Sequence, residues 1–114
     1  MKLGCWGEQI AEKYLIKKGY LIVARNFRCR LGEIDLIALD DKELVFIEVK
    51  TRQNQNYGLP CEAITASKIK HLKRTAAYYM AVNSVDYKDA RLDVIEILKK
   101  EVQTYIHHIE NITG

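Results

Sequence analysis

The segment LGEIDLIALDDKELVFIEVKTR, residues 31–52, constrains the fold more than any other part of the chain. Residues 33–39 and 44–50 are apolar runs rich in Ile, Leu and Val. The DDKE between them is a cluster of turn formers, so the pair reads as an antiparallel hairpin. A four-residue loop, residues 40–43, pairs Leu39 with Leu44. Carried along the hairpin, that register sets Asp35 opposite Glu48 and Glu33 opposite Lys50. Side chains opposed in this way share one face, with Cβ atoms roughly 4.5–5.5 Å apart. A slip of a single residue would send the two acids to opposite faces.

The rest of the chain supplies what such a hairpin needs for a core. Residues 6–18 form a helix, because Ile10, Ala11, Tyr14 and Leu15 recur at helical spacing and Gly19 supplies the stop. Stepping 100° per residue puts Gly7 inside that apolar arc and Glu8 at its edge, facing the body of the protein. LIVARNF, residues 21–27, reads as a strand and leads into a basic turn ending at Gly32. After the irregular QNQNYGLP, Thr65 is a suitable N-cap for a second helix reaching about Val82, with Ile69, Leu72, Ala76 and Tyr79 on one face. Residues 91–98 and 102–109 are two closing strands across the turn KKE. The order αβββαββ in 114 residues predicts a single α/β (α+β) domain spanning residues 1–114, a mixed central sheet flanked by helices. No apolar run approaches membrane-spanning length, and the start is amphipathic with acids in it, so the expectation is a cytoplasmic protein with no membrane partner. Cys5, Cys29 and Cys61 are odd in number and contain no CxxC pair, which favours reduced thiols over a disulfide framework or a zinc site.

Two carboxylates directly opposed destabilise a sheet, and partial burial adds to the cost, so Asp35 and Glu48 need a shared proton or an intervening cation. A hard divalent ion is the economical answer. Mg2+ is commonly held by one or two carboxylates and leaves positions for water and phosphate oxygens. Lys50, two residues beyond Glu48 on the same strand face, is placed to orient or deprotonate an attacking water. The alternative is a salt-bridge cluster on a solvated sheet face, but such pairing alternates charges instead of opposing two acids. Glu8 is either an exposed first-turn acid favoured by the helix dipole or a further acid of this group. Basic residues cluster as well: residues 50–74 carry six, Lys50, Arg52, Lys68, Lys70, Lys73 and Arg74, against one acid, Glu62, and Arg25, Arg28 and Arg30 form a separate trio. The clustering suits a polyanion partner or, equally, a solvated helix face. Lys68 falls in the first helical turn, where a cation opposes the dipole and a nearby phosphate would offset the cost. Tyr57 is the aromatic outside the core spacing, a candidate to stack on a base. Asp93 beside Arg91 reads as structural, and His107 and His108, adjacent on a strand, face opposite sides and form no joint metal site.

An acid on one strand followed by Glu-x-Lys on the next, here Asp35 and Glu48-Val49-Lys50, resembles the core of the PD-(D/E)xK nuclease superfamily. More closely, GEQIAEKYLIKKGY, ARNFR, GEIDLI, FIEVKTR, YGLP, Lys68 and RLDVIEI are similar to the YraN family of small bacterial proteins, predicted endonucleases related to archaeal Holliday junction resolvases. Ile34 stands where many superfamily members have a proline before the acid. The resemblance implies a restriction-endonuclease-like core that hydrolyses DNA phosphodiester bonds with Mg2+ or Mn2+. Asp35, Glu48 and the Val49 carbonyl would hold the ion, Lys50 would assist the water, and Glu8 would join the acids. Arg30, Arg52, Lys68 and Lys70 would contact phosphates, with Tyr57 stacking. It further implies structured or branched DNA as substrate and a homodimer as the working form. The rival reading is a catalytically idle nucleic-acid-binding module or accessory subunit that retains the fold.

Overall fold

The hairpin sits at the centre of a five-stranded mixed sheet in the computed structural model, which describes residues 3–53, 65–84 and 89–112. The elements are α1 Leu3–Lys17, β1 Leu21–Cys29, β2 Gly32–Asp40, β3 Glu43–Gln53, α2 Ala66–Val82, β4 Ala90–Lys100 and β5 Gln103–Ile109. The strands lie side by side in chain order. All neighbours are antiparallel except β3 and β4, which run parallel with α2 between them in the chain. Among the described residues no helix is long and apolar enough to cross a membrane.

Where the elements outgrow their sequence-based bounds, tertiary pairing is the cause. β3 continues past Lys50 because Thr51, Arg52 and Gln53 pair with Ile97, Leu98 and Lys99 of β4. The hairpin loop tightens from four residues to Asp41 and Lys42, since Asp40 pairs with Glu43 and Asp41 takes a left-handed φ of 56°. The register is kept, with Leu39 still opposite Leu44. α2 begins at its expected cap: Thr65 Oγ1 accepts the Lys68 N–H at 3.1 Å.

Alternation along the strands divides the core into two layers. Leu36, Ala38, Val45, Ile47, Ile95 and Ile97 pack under α1 with Ala11 and Leu15. Ile37, Leu44, Phe46 and Leu92 pack under α2 with Leu72, Ala76 and Tyr79. Each Leu, Ile, Val or Phe among them, fully buried, contributes roughly 1.5–3 kcal/mol. Strict alternation would give Ile34 to the first layer with Leu36, yet it packs in the second. Ala24 and Phe27 on β1, an odd spacing apart, also share the second layer. The face therefore switches between them, at Asn26, whose φ is 52°, and at Asp35 facing it, a position that the β1–β2 ladder skips as it also skips Val23 at its register shift. A kink of this type re-aims side chains. Here it falls on an acid.

Two contacts fix α1 over the sheet. At its N-terminal end Gly7 lies so close to β3 that a Cβ there would meet Thr51 Oγ1 at 1.8 Å. At its C-terminal end Tyr14 Oη and Lys18 Nζ lie 3.0 and 3.3 Å from His108 Nδ1. His108 Nε2 is 2.7 Å from Asp93, which is fully buried and also accepts from Arg91 and from the Asn111 N–H. Burial pushes the Asp93 carboxyl up, but the hydrogen bonds from His108, Arg91 and Asn111 outweigh it and hold it below the usual carboxylate range. Arg91 in turn bonds Tyr20 Oη, Asp40 and Glu43. This network fastens β4 and β5 to α1 and to the hairpin end.

Candidate active site

The acids lie where β2 and β3 part. The paired ladder stops at Leu36 and Ile47, so Asp35 and Glu48 are not ladder partners as the simple register implies, nor are Glu33 and Lys50. The reason is the kink at Asp35: its Oδ2, in place of a backbone carbonyl, accepts the Val49 N–H at 2.7 Å. Glu33 instead meets Arg28 across β1, 3.0 Å from Nε to Oε2. The two acids nevertheless come together. Asp35 and Glu48 are 7% and 6% exposed. Burial first, then the hydrogen bond and charge of Glu48, push the Asp35 carboxyl up to about 7 against the pull of the Val49 N–H. The contact thus shares a proton that comes off near neutral pH.

Cations surround Glu48. Lys68 Nζ, from the first turn of α2, is 3.0 Å from its Oε2, and Lys50 Nζ is 3.7 Å away. Lys68 is therefore part of the centre, where sequence alone left it between a phosphate contact and a solvated charge. Glu8 reaches the rim from α1. Burial raises its carboxyl, a hydrogen bond with Asn26 lowers it, and the charges of Glu33 and Glu48 raise it again, for a net upward shift. Glu8 thus feels Glu48 although it comes from the opposite layer.

Among the described residues no three His, Cys, Asp or Glu side chains gather tightly enough to hold an ion by themselves. Asp35 and Glu48 supply two carboxylates. In a strand the N–H and C=O of one residue leave on the same side, so the Val49 carbonyl faces the same gap as its N–H. Two acids and a carbonyl suit a hard divalent ion that keeps several of its waters.

The remaining predicted residues divide. Arg52 is not an open phosphate contact: its side chain is 20% exposed and its Nε lies 3.2 Å from Glu96 Oε2. Glu96 is buried on β4 in register with Lys50, and its Oε2 has ion-pair distance to Arg52 but no hydrogen bond of good geometry. Lys70 and Arg30 are exposed, and Tyr57 lies outside the described residues. Glu96 and Asn26 were missed. Glu96 interrupts the apolar run RLDVIEIL as Asp35 and Glu48 interrupt theirs, which is the signal that could have found it.

A mixed sheet with a helix on each face, opening at one end onto two buried acids and two lysines, defines a small α+β protein with a candidate cation centre. The family model described as "Uncharacterised protein family UPF0102" matches residues 7–97, and the chain belongs to that family. A UPF0102 protein of Clostridium novyi is 44% identical over 96% of this chain and 92% of its own length. One of Clostridium acetobutylicum is 50% identical over 85% of this chain and 80% of its own. A third, of Syntrophomonas wolfei, is 44% identical over 96% of both chains. Glu8, Asp35, Glu48, Lys50 and Lys68 all fall within the matched residues.

Proposed function

We propose that the protein is a divalent-metal-dependent endonuclease of the PD-(D/E)xK type, with a restriction-endonuclease-like core, acting on DNA that is branched or otherwise structured. The observation that carries the reading is the buried contact of Asp35 with Glu48, the Asp35 carboxyl pushed up to about 7, with Lys50 Nζ 3.7 Å from Glu48. Opposed buried acids are an expense that a purely structural sheet avoids. Asp35, Glu48 and the Val49 carbonyl would hold Mg2+ or Mn2+, which when bound supplies Lewis-acid stabilisation of charge on phosphoryl oxygens. Lys50 orients the attacking water from the strand position next to Glu48, and Lys68 stands ready to exchange Glu48 for a phosphate oxygen. Glu8 adds negative charge at the rim, where it favours the cation.

The ion pair of Lys68 with Glu48 at 3.0 Å favours a second reading, an idle nucleic-acid-binding module in which protein cations satisfy the acids. One screen separates the two. Purified protein is incubated with branched, nicked and linear DNA in Mg2+, Mn2+ or chelator, beside Glu48→Gln. Cleavage that needs metal and is lost in Glu48→Gln supports the nuclease; tight binding with no cleavage of any substrate supports the module.

A further inference from the structure

A groove runs from this centre between the β1–β2 turn and the flank of α2 that faces it. Nearest the acids it is a hollow of about 290 Å³ lined by Lys68, His71, Thr75 and the turn residues Leu31, Gly32 and Glu33. It continues at Leu31 into a second hollow of about 400 Å³ bounded by Arg30 and Tyr78. The turn and helix are pressed together at the floor, where a Cβ on Gly32, at φ +150°, would meet Thr75 Oγ1 at 3.0 Å. Lys68, His71, Thr75 and Tyr78 follow helical spacing along one side of α2, a track of roughly 15 Å at the helical rise. The helix carries Lys68, Lys70, Lys73 and Arg74 and no acid in its 17 residues. Among the described residues Glu33 is the one acid lining the groove, and it is already engaged by Arg28 at 3.0 Å.

The far end of the track is aromatic. Tyr78 is 43% exposed, with its ring 6.3 Å from Phe27, centroid to centroid, and the planes 35° apart. Leu31, 46% exposed, faces the same hollow. Cations along a groove with an exposed ring at its end are the combination that holds a polynucleotide strand by phosphate contacts and base stacking. The stacking selects the form of the ligand. A base inside a duplex already has both faces covered, so a ring set in a cleft can stack only on an unpaired base.

We propose that this groove binds an unpaired polynucleotide strand, with a base on Tyr78 and phosphates along Arg30, His71 and Lys68, leading the strand toward Asp35 and Glu48. The proposal rests on the nuclease reading for its direction, and it narrows the substrate to nucleic acid with a single-stranded arm or tail.

The test is fluorescence anisotropy in chelator, so that binding is read without cleavage, using labelled oligonucleotides that are single-stranded, blunt duplex or duplex with a short tail. Single-stranded and tailed DNA should bind about tenfold more tightly than blunt duplex of the same length, and Tyr78→Ala should remove about tenfold of that affinity. Tyr78→Phe, which keeps the ring, should bind like the parent, and a urea curve for each variant shows whether the fold is intact. Replacing the DNA single strand by RNA of the same sequence identifies the sugar; tight binding of either supports the groove. Equal binding of blunt duplex and single strand overturns the proposal, as does unchanged single-strand affinity in folded Tyr78→Ala. A preference for unpaired strands without metal-dependent cleavage would sink the nuclease reading and leave the groove standing; cleavage without that preference would do the reverse.

Discussion

Asp35 and Asp93 are both buried acids, and their environments push them in opposite directions. Asp35 has a folded pKa of about 7 against about 4 unfolded, so below pH ~4 its contribution is fully favourable, and it is lost as the pH rises through 7. In metal-free protein this amounts to at most about 4 kcal/mol, roughly 1.4 per pH unit over the window. Asp93 has its pKa lowered in the fold, so its contribution is present above pH ~4 and is lost as acid protonates it. Stability in chelator should therefore peak between about pH 4 and 5, not at neutral pH. Asp35→Asn isolates the first effect. Its amide oxygen can still accept the Val49 N–H, and its NH2 can donate to Glu48 as the protonated acid does. The variant should match the parent at pH 4.5 and exceed it by about 1 kcal/mol or more at pH 8 in urea unfolding. A loss of about 2 kcal/mol at pH 8 would make Asp35 a structural ion-pair partner. Asp93→Asn should lose about 3 kcal/mol at pH 7, because Arg91 loses a fully buried counter-charge.

At the scale of elements, the seat of α1 decides whether Glu8 reaches the site. Gly7→Ala gains up to about 1 kcal/mol of helix propensity, yet its Cβ would fall 1.8 Å from Thr51 Oγ1, so either Thr51 or the helix must shift. Overpacking of this kind costs about 1–3 kcal/mol. The variant should be destabilised, and Thr51→Ala in the same chain should recover part of the loss; additive effects of the two changes in urea curves would mean they do not touch. The close seat itself was legible, since helical stepping already put Gly7 on the inward arc. The hairpin register and the Thr65 cap were legible for the same reason: each depends on residues a few positions apart. Glu96 was not. It stands beside Lys50 only through the parallel register of β3 and β4, strands joined through α2, and no local pattern encodes that alignment. The kink at Asn26 and Asp35 was hidden for a related reason, because a left-handed asparagine inside a strand leaves the apolar alternation ambiguous while reversing the face it serves.

For the whole molecule, the decisive quantity is the competition at Glu48 between the protein's own cations and an external one. The fold places Lys68 3.0 Å and Lys50 3.7 Å from one carboxylate oxygen, with Asp35 beside it titrating near 7, so a divalent ion must loosen Lys68 and, below about pH 7, also displace a proton. A ligand that binds only the folded state stabilises it by mass action, about 1.4 kcal/mol at ten times its dissociation constant. For a domain of this size that is roughly 5 °C in Tm. Millimolar Mg2+ or Mn2+ should therefore raise the Tm at pH 7.5, and the rise should shrink toward pH 5.5 as the proton competes. Glu48→Gln should flatten the response. Lys68→Ala should enlarge it, since the resident ammonium is gone, while weakening binding of single-stranded DNA and lowering its salt slope by about one phosphate contact. Should neither ion move the Tm of the parent or of Lys68→Ala, the opposed acids are neutralised from within by the proton and the two lysines, and the idle binding module becomes the better account of the fold.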